Sequence, residues 1–239
     1  MKQAGGKVSG ADNLSVADTN GWNPYLKMEN RMPTAECLKR IRTDVKCLNN
    51  DPLLGIYAVP DEVYNTVIHA LVVGPFDTPY EGGFFYFLMD CPDKYPHEPP
   101  KVTLMTTGSG RVRFNPNLYA NGKVCLSILG TWSGPSWVPV NSLSSVLLSI
   151  QSLMNEKPYH NEPGFDATNT IDCNNYSDCI RHETLRVAVC EMAAGETPMP
   201  EKLKTIVQCL FPSFFETYEL ICTSNIHKCG QVWTSILAG

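Results

Sequence analysis

The sequence contains no apolar run of roughly 18 residues, which is the length that a membrane-spanning helix needs. Its first 30 residues also lack the basic-then-apolar order of a signal peptide. The net charge is −5 at pH 7, so there is no broad basic field that would hold nucleic acid. We therefore expect neither a membrane nor a nucleic-acid partner, and a protein that stays in the reducing interior of the cell.

Motifs that bind metals and phosphates are missing as well. The chain has no Cys-X-X-Cys pair, and the spacing of Cys209, Cys222, His227 and Cys229 does not fit a zinc site. It has no GxxxxGK[ST] or other glycine-rich phosphate loop. We expect no metal and no bound cofactor. The ten cysteines are spread through apolar patterns, which predicts free thiols rather than a disulfide scaffold.

The hydrophobic pattern predicts an α+β fold. A first helix starts near Pro33-Thr34 and places Ile41, Val45 and Leu48 on one face. Four strand-like runs follow at about 54–59, 66–73, 83–90 and 101–106, and their short connections favour an antiparallel meander. A later helix is capped by Asn141 or Ser142, and its apolar stripe predicts core packing; the stripe comprises Leu143, Val146, Leu147, Ile150, Leu153 and Met154.

Composition divides the chain into four parts. Residues 1–21 are polar and aperiodic, which predicts a disordered tail, and Trp22 opens an ordered core that we place at 22–166. Residues 167–230 predict a helical extension packed on that core, after a polar linker at 167–175. Its helices are expected at about 176–194 and 203–221, the second bent or interrupted at Pro212. We expect residues 231–239 to form a tail.

The segment 113–129 combines a stiff turn with a cysteine. Pro116 fixes its own φ and favours an extended Asn115, while Asn121-Gly122 supplies a second turn. The amide of Asn117 is of a type that stabilises an oxyanion. Cys125 is either a nucleophile or a buried small apolar residue, as most free cysteines are. No histidine lies nearby in sequence, so acyl carriage fits better than hydrolysis.

Several motifs together resemble the catalytic core of ubiquitin-conjugating enzymes, in order and in spacing, over residues 33–166. They are Gly74-Pro-Phe-Asp-Thr-Pro-Tyr-Glu-Gly-Gly-Phe-Phe, Tyr95-Pro-His-Glu-Pro-Pro-Lys, Asn115-Pro-Asn, Gly122-Lys-Val-Cys-Leu-Ser-Ile-Leu and Trp137-Val-Pro. The resemblance implies a transferase of that fold, with an N-terminal helix, the meander, a cysteine loop and following helices. Cys125 would accept ubiquitin or a ubiquitin-like modifier as a thioester from an activating enzyme, which consumes ATP, and pass it to an acceptor amine.

A narrower resemblance points to one branch of the family and extends to about residue 221. It is carried by Phe114-Asn-Pro-Asn, by the insertion Gly130-Thr-Trp-Ser-Gly-Pro-Ser-Trp, and by Pro158-Tyr-His-Asn-Glu-Pro-Gly-Phe. This branch implies charging by the alternative ubiquitin-activating enzyme, a diubiquitin-like modifier beside ubiquitin, a location in cytoplasm and nucleus, and a link to apoptosis. Nucleotide binding is implied by the family resemblance alone.

The resemblance also assigns roles to single residues. Asn117 would stabilise the oxyanion, and Glu162, immediately before a proline, would position the acceptor lysine. Asn115, where most members have histidine, and Pro116 would support the loop. The basic residues of the first helix would dock the activating enzyme, although by themselves they are more typical of a solvated face; they are Lys39, Arg40, Arg42 and Lys46. The loops facing a ubiquitin ligase would include Pro96, His97 and Pro139.

The sequence leaves three points open, which concern the ligase partner, an inactive scaffold and a hydrolase. The ligase partner is undetermined because His97, Val138 and Val140 depart from the residues common in the family. An inactive member that binds ubiquitin as a scaffold is an alternative, against which the retained Cys125 argues. A cysteine hydrolase would need a distant histidine brought to Cys125, and His160 is the candidate.

Overall fold

The computed structural model describes residues 31–165 and 170–226. The predicted tails at 1–21 and 231–239, and the ordered start at Trp22, lie outside these residues. The helices are α1 (Ala35–Asn50), α2 (Leu143–Leu153), α3 (Thr170–Glu183) and α4 (Glu201–Asn225). The strands are β1 (Ile56–Pro60), β2 (Val67–Val73), β3 (Phe84–Asp90) and β4 (Lys101–Leu104). A π-helical segment at Thr184–Glu191 follows α3 directly, and single 3₁₀ turns lie at Ser127–Leu129 and Pro158–Asn161.

The four strands form one antiparallel sheet in the order β1-β2-β3-β4. Its register places Val72 opposite Ile56 of β1 and Phe85 of β3. Every residue of β2 and β3 is buried, which requires both faces of the sheet to be covered. The predicted α+β class with an antiparallel meander is therefore confirmed.

Helices α1 and α2 cover the first face of the sheet. Thr34 caps α1, because its hydroxyl accepts a hydrogen bond from the Cys37 N–H at 3.1 Å, and Ile41 and Val45 pack into the main core. Ser142, rather than Asn141, caps α2 in a reciprocal capping box with Ser145. The apolar stripe predicted for α2 lies in this same core; its members are Leu143, Val146, Leu147, Ile150, Leu153 and Met154.

Helix α4 covers the second face of the sheet. Leu203 and Val207 form a second core cluster with Leu71 of β2 and Phe84 of β3. The Tyr218 hydroxyl donates to the Gly82 carbonyl at 2.7 Å, which holds the C-terminal half of the helix on the β2–β3 connection. The division of the chain into core and extension near residue 166 remains a prediction.

One local expectation for these C-terminal helices was wrong, and of the bend or interruption predicted at Pro212 the interruption does not occur. Helix α3 begins at Thr170, so residues 170–175, which were predicted to belong to a polar linker, are helical. Helix α4 runs without interruption through Pro212. Proline there removes one main-chain hydrogen bond, but Val207 and Tyr218 are buried on either side of it, and this packing keeps both halves helical.

The loop between β4 and α2 is fastened to the end of β4. The Leu104 N–H donates to the Gly122 carbonyl at 2.8 Å, and Gly122 has φ +86°. A Cβ at this position would lie 2.7 Å from the Leu104 carbonyl oxygen, so only glycine fits. The predicted turn at Asn121-Gly122 thus positions Cys125 beside the sheet.

Candidate active site

Cys125 lies within this loop, three residues after Gly122, with 2% of its surface exposed. Its N–H donates to the Asn117 carbonyl at 2.9 Å. Burial raises the pKa of the Cys125 thiol, while the charges of Lys123 and Arg113 and a hydrogen bond with the Tyr119 side chain oppose that rise. The net direction is upward, so the thiol is protonated at neutral pH.

The Asn117 side chain returns the hydrogen bond to Cys125. Its Nδ2 donates to the Cys125 carbonyl oxygen at 2.9 Å, across a separation of eight residues. The carboxamide therefore lies against the cysteine main chain, and its observed partner is that carbonyl rather than the thiol. An amide nitrogen carries two hydrogens, and this bond uses one of them.

Asn115 braces the turn from inside the core. Its side chain is fully buried, and its Nδ2 donates to the Tyr80 hydroxyl at 2.8 Å and to the Leu153 carbonyl at 2.9 Å. Its Oδ1 accepts from the Asn117 N–H at 3.0 Å and from the Asn161 side chain at 3.3 Å. Four partners from separate parts of the chain thus meet on this one amide, which makes the turn rigid.

Glu162 directly follows the 3₁₀ turn at Pro158–Asn161. Its Oε2 lies 3.2 Å from Arg113 Nη2, and a third of its side chain remains exposed. The same Nη2 donates to the Pro116 carbonyl at 2.7 Å. His160 packs against Tyr159, and its buried Nδ1 has no hydrogen-bond partner among the described residues.

Three residues whose side chains support the loop around Cys125 received no role from the sequence; they are Arg113, Tyr119 and Thr131. The Thr131 hydroxyl accepts from the Leu126 N–H at 3.0 Å and donates to the Val124 carbonyl at 2.8 Å, so it clamps both neighbours of Cys125. The Arg113 guanidinium lies 4.4 Å from the centre of the Tyr119 ring.

Of these three residues, only Arg113 stands out in the sequence, because it is a charged residue between the apolar Val112 and Phe114. Both of these neighbours are buried in the structure. Nothing in the sequence distinguishes Thr131 or Tyr119 from ordinary loop residues.

The four basic residues predicted on α1 fall into two groups. Arg40 is half-buried and donates to Asp44 at 2.8 Å and to the carbonyls of Pro139 and Asn141 at 2.8 and 2.5 Å. It therefore ties α1 to the loop before α2. The other three side chains are exposed; they are Lys39, Arg42 and Lys46.

The residues assigned to ligase-facing loops are also separated. Pro96 is buried, and its carbonyl accepts the indole N–H of Trp137 at 2.6 Å, whereas His97 and Pro139 are exposed. The Trp137 ring lies 5.8 Å from that of Tyr95, so this tryptophan packs against the core. The hydrogen bond between Trp137 and Pro96 therefore holds the loop that contains His97 close to the loop that contains Pro139.

Some features are absent from the residues that the structure describes. Within 31–165 and 170–226, no cluster of three or more His, Cys, Asp or Glu side chains could hold a metal ion. None of the helices in these ranges is long and apolar enough to cross a membrane. All nine cysteines in the described residues are free thiols.

Comparison with known proteins gives consistent matches. A sequence model of the family described as ubiquitin-conjugating enzyme matches residues 40–181. The human protein named ubiquitin-conjugating enzyme E2 Z is 54% identical over 213 residues, covering 88% of this chain and 60% of the relative. The Danio rerio protein of the same name is 51% identical over 229 residues, covering 95% and 70%. A probable ubiquitin-conjugating enzyme E2 26 of Arabidopsis thaliana is 34% identical over 208 residues, covering 84% and 37%.

Proposed function

This chain belongs to the ubiquitin-conjugating enzyme family, and from that premise we propose that it carries ubiquitin or a ubiquitin-like protein as a thioester on Cys125. The resemblance found in the sequence is confirmed, both to the family and, more narrowly, to ubiquitin-conjugating enzyme Z. The chain spans 60% of the human relative and 70% of the Danio rerio one, so the activity of the whole protein is part of the proposal.

Two acyl transfers make up the proposed reaction. In the first, the Cys125 sulfur attacks the activated C-terminal carbonyl of the modifier; the new C–S bond forms, the bond to the activating enzyme breaks, and the thiol proton passes to the departing group. In the second, an acceptor amine attacks the thioester, the C–N bond forms, and the Cys125 sulfur leaves with the electron pair of the C–S bond. The amine proton passes to Glu162 or to water.

The observation that carries this proposal is the reciprocal pair of 2.9 Å hydrogen bonds between Asn117 and Cys125. They hold a carboxamide donor beside the cysteine, where an oxyanion develops during both transfers. A preorganised donor of this kind contributes roughly 10²–10³ in rate in other acyl-transfer enzymes. Asn115 and Pro116 support the turn from which Asn117 projects, and Glu162 would position the amine.

The proposed partners follow from the likeness to enzyme Z. They are the alternative ubiquitin-activating enzyme, ubiquitin or a diubiquitin-like modifier, and a ubiquitin ligase that contacts the loops at His97 and Pro139. ATP would be consumed by the activating enzyme. From the same likeness we also propose a location in cytoplasm and nucleus and a link with apoptosis.

A second candidate, an inactive scaffold that binds ubiquitin, is favoured by one observation. Cys125 is only 2% exposed, and burial raises the pKa of its thiol, which lowers its reactivity in the free protein. An activating enzyme that docks here would have to reach a covered sulfur. The two candidates differ in whether any modifier becomes attached to Cys125.

A charging assay separates the two candidates. The protein is incubated with ATP, a modifier and each activating enzyme in turn, and is then separated on a non-reducing gel. We expect an adduct that thiols remove, and a thiol-resistant oxyester with Cys125→Ser, because the serine oxygen forms the same acyl bond. Absence of any adduct with every activating enzyme would favour the scaffold and reject the carrier proposal.

A further inference from the structure

We propose that Arg113 is a positioning residue that joins the acceptor side of the site to the thiol side. The proposal rests on the carrier function proposed above. It is based on three contacts of one guanidinium group: with the Glu162 carboxylate, with the Pro116 carbonyl and with the face of Tyr119. Through these contacts Arg113 would fix the distance between the acceptor amine and the thioester.

On the thiol side, Arg113 acts through Tyr119. The guanidinium carbon lies 4.4 Å from the centre of the Tyr119 ring, and the Tyr119 N–H donates to the Lys123 carbonyl at 3.0 Å, two residues before Cys125. Lys123 Nζ lies 5.7 Å from the centre of the same ring. The two cations therefore hold the Tyr119 ring by cation–π attraction, which fixes the part of the loop that leads to Cys125.

On the acceptor side, Arg113 holds Glu162. The ion pair of 3.2 Å is partly shielded, since 19% of the Arg113 side chain and 33% of the Glu162 side chain are exposed. The exposed third of the Glu162 side chain is where an acceptor amine would approach it. Glu162 follows a 3₁₀ turn and lies outside the long helices, so this pair restricts where its carboxylate can lie. A shift of about 1 Å in such a group can cost about 10²-fold in rate.

The arrangement requires arginine rather than just a positive charge. One Nη2 serves both Glu162 and Pro116, while the central carbon of the same group lies over the Tyr119 ring, 4.4 Å from its centre. Lysine offers a point charge on a flexible stem and cannot stack through a planar group. Arg113→Lys should therefore restore the charge without restoring the function.

The test measures single-turnover discharge of the purified Cys125 thioester to free lysine. Because the thioester is already formed, any effect on charging is excluded. We expect both Arg113→Met and Arg113→Lys to slow discharge by about tenfold or more and to raise the lysine concentration that gives half the maximal rate. Thermal unfolding of each variant reports whether it folds. If Arg113→Met does not fold, the test is made with Arg113→Lys.

A double-mutant cycle with Glu162→Gln distinguishes positioning from a structural role. If Arg113 acts through Glu162, Glu162→Gln should cost little more once Arg113 is replaced. Arg111→Met is the matched control, because Arg111 is exposed two residues away and its Nε contacts the Gly108 carbonyl; its discharge rate should equal that of the parent.

Discharge of Arg113→Lys within twofold of the parent would overturn the proposal, as would additive effects of the Arg113 and Glu162 substitutions. A parent protein that forms no thioester at all would overturn the proposed function, and this inference with it.

Discussion

At the scale of single residues, the reactivity of Cys125 depends on two opposing effects. Burial raises the pKa of its thiol, and the positive charges of Lys123 and Arg113 oppose this by stabilising the thiolate. The balance favours the protonated thiol, which protects it from oxidation in the free protein. Removing one cation should move the balance further in the same direction.

Lys123→Met should therefore raise the pKa of Cys125 further and slow its alkylation. We expect the rate of iodoacetamide labelling at pH 8 to fall by about two- to fivefold, with the pH profile displaced to higher pH, because only the thiolate reacts. Peptide mass spectrometry follows Cys125 separately, and the exposed Cys47 in the same molecule serves as the internal control. Labelling of Cys125 that is unchanged or faster would contradict this electrostatic account.

The residues proposed for the site could be found from the sequence where they lie in one short segment. Asn115, Asn117 and Cys125 stand out because a stiff turn and a cysteine lie close together in sequence, whereas Glu162 was proposed only through the family resemblance. Arg113 and Glu162 are 49 residues apart, and their contact exists only because the fold returns the chain to the loop. No local pattern encodes such a contact.

At the scale of elements, α1 presents two kinds of cation. Arg40 is held by Asp44 and by the carbonyls of Pro139 and Asn141, so it stabilises the fold. Lys39, Arg42 and Lys46 are exposed, which leaves them available to an acidic partner surface. The sequence could not separate these groups, because all four lie on the polar side of one amphipathic pattern.

We predict that replacing Lys39, Arg42 and Lys46 together by alanine slows charging of Cys125 by about tenfold at low activating-enzyme concentration, since exposed charges mainly steer association. Unfolding temperature should be unchanged. The measurement is the initial rate of thioester formation, with exposed Lys202→Ala on α4 as the control. The predicted defect should diminish as salt is added. A triple variant that charges at the parental rate would show that this face is only solvated.

The element boundaries show the same limit of local patterns. The strands were predicted to within a few residues because Val, Ile, Phe and Tyr cluster in short runs between turn residues. Because proline disfavours a helix interior, the sequence predicts a bend or an interruption at Pro212. Helix α4 continues because the sheet beneath it binds the residues on both sides, which is a tertiary effect.

At the scale of the whole molecule, the sheet is buried between two helical layers. The face toward α1 and α2 forms the larger core, and the face toward α4 forms a second cluster around Phe84 and Leu203. Without α4 the second face would expose apolar side chains of β2 and β3. The helix is thus expected to fold and unfold together with the sheet.

Leu203→Ala tests this expectation, because Leu203 is fully buried in the second cluster. We expect a loss of about 2–5 kcal/mol in the free energy of unfolding, from the lost burial and the remaining cavity. Urea unfolding is followed by far-ultraviolet circular dichroism and by the near-ultraviolet signal of packed aromatic residues, which include Trp137 in the other layer. Both midpoints should move down together, and Lys202→Ala should move neither. If only the helical signal shifted while the aromatic transition stayed in place, α4 would be a separate unit docked on a sheet that is stable without it.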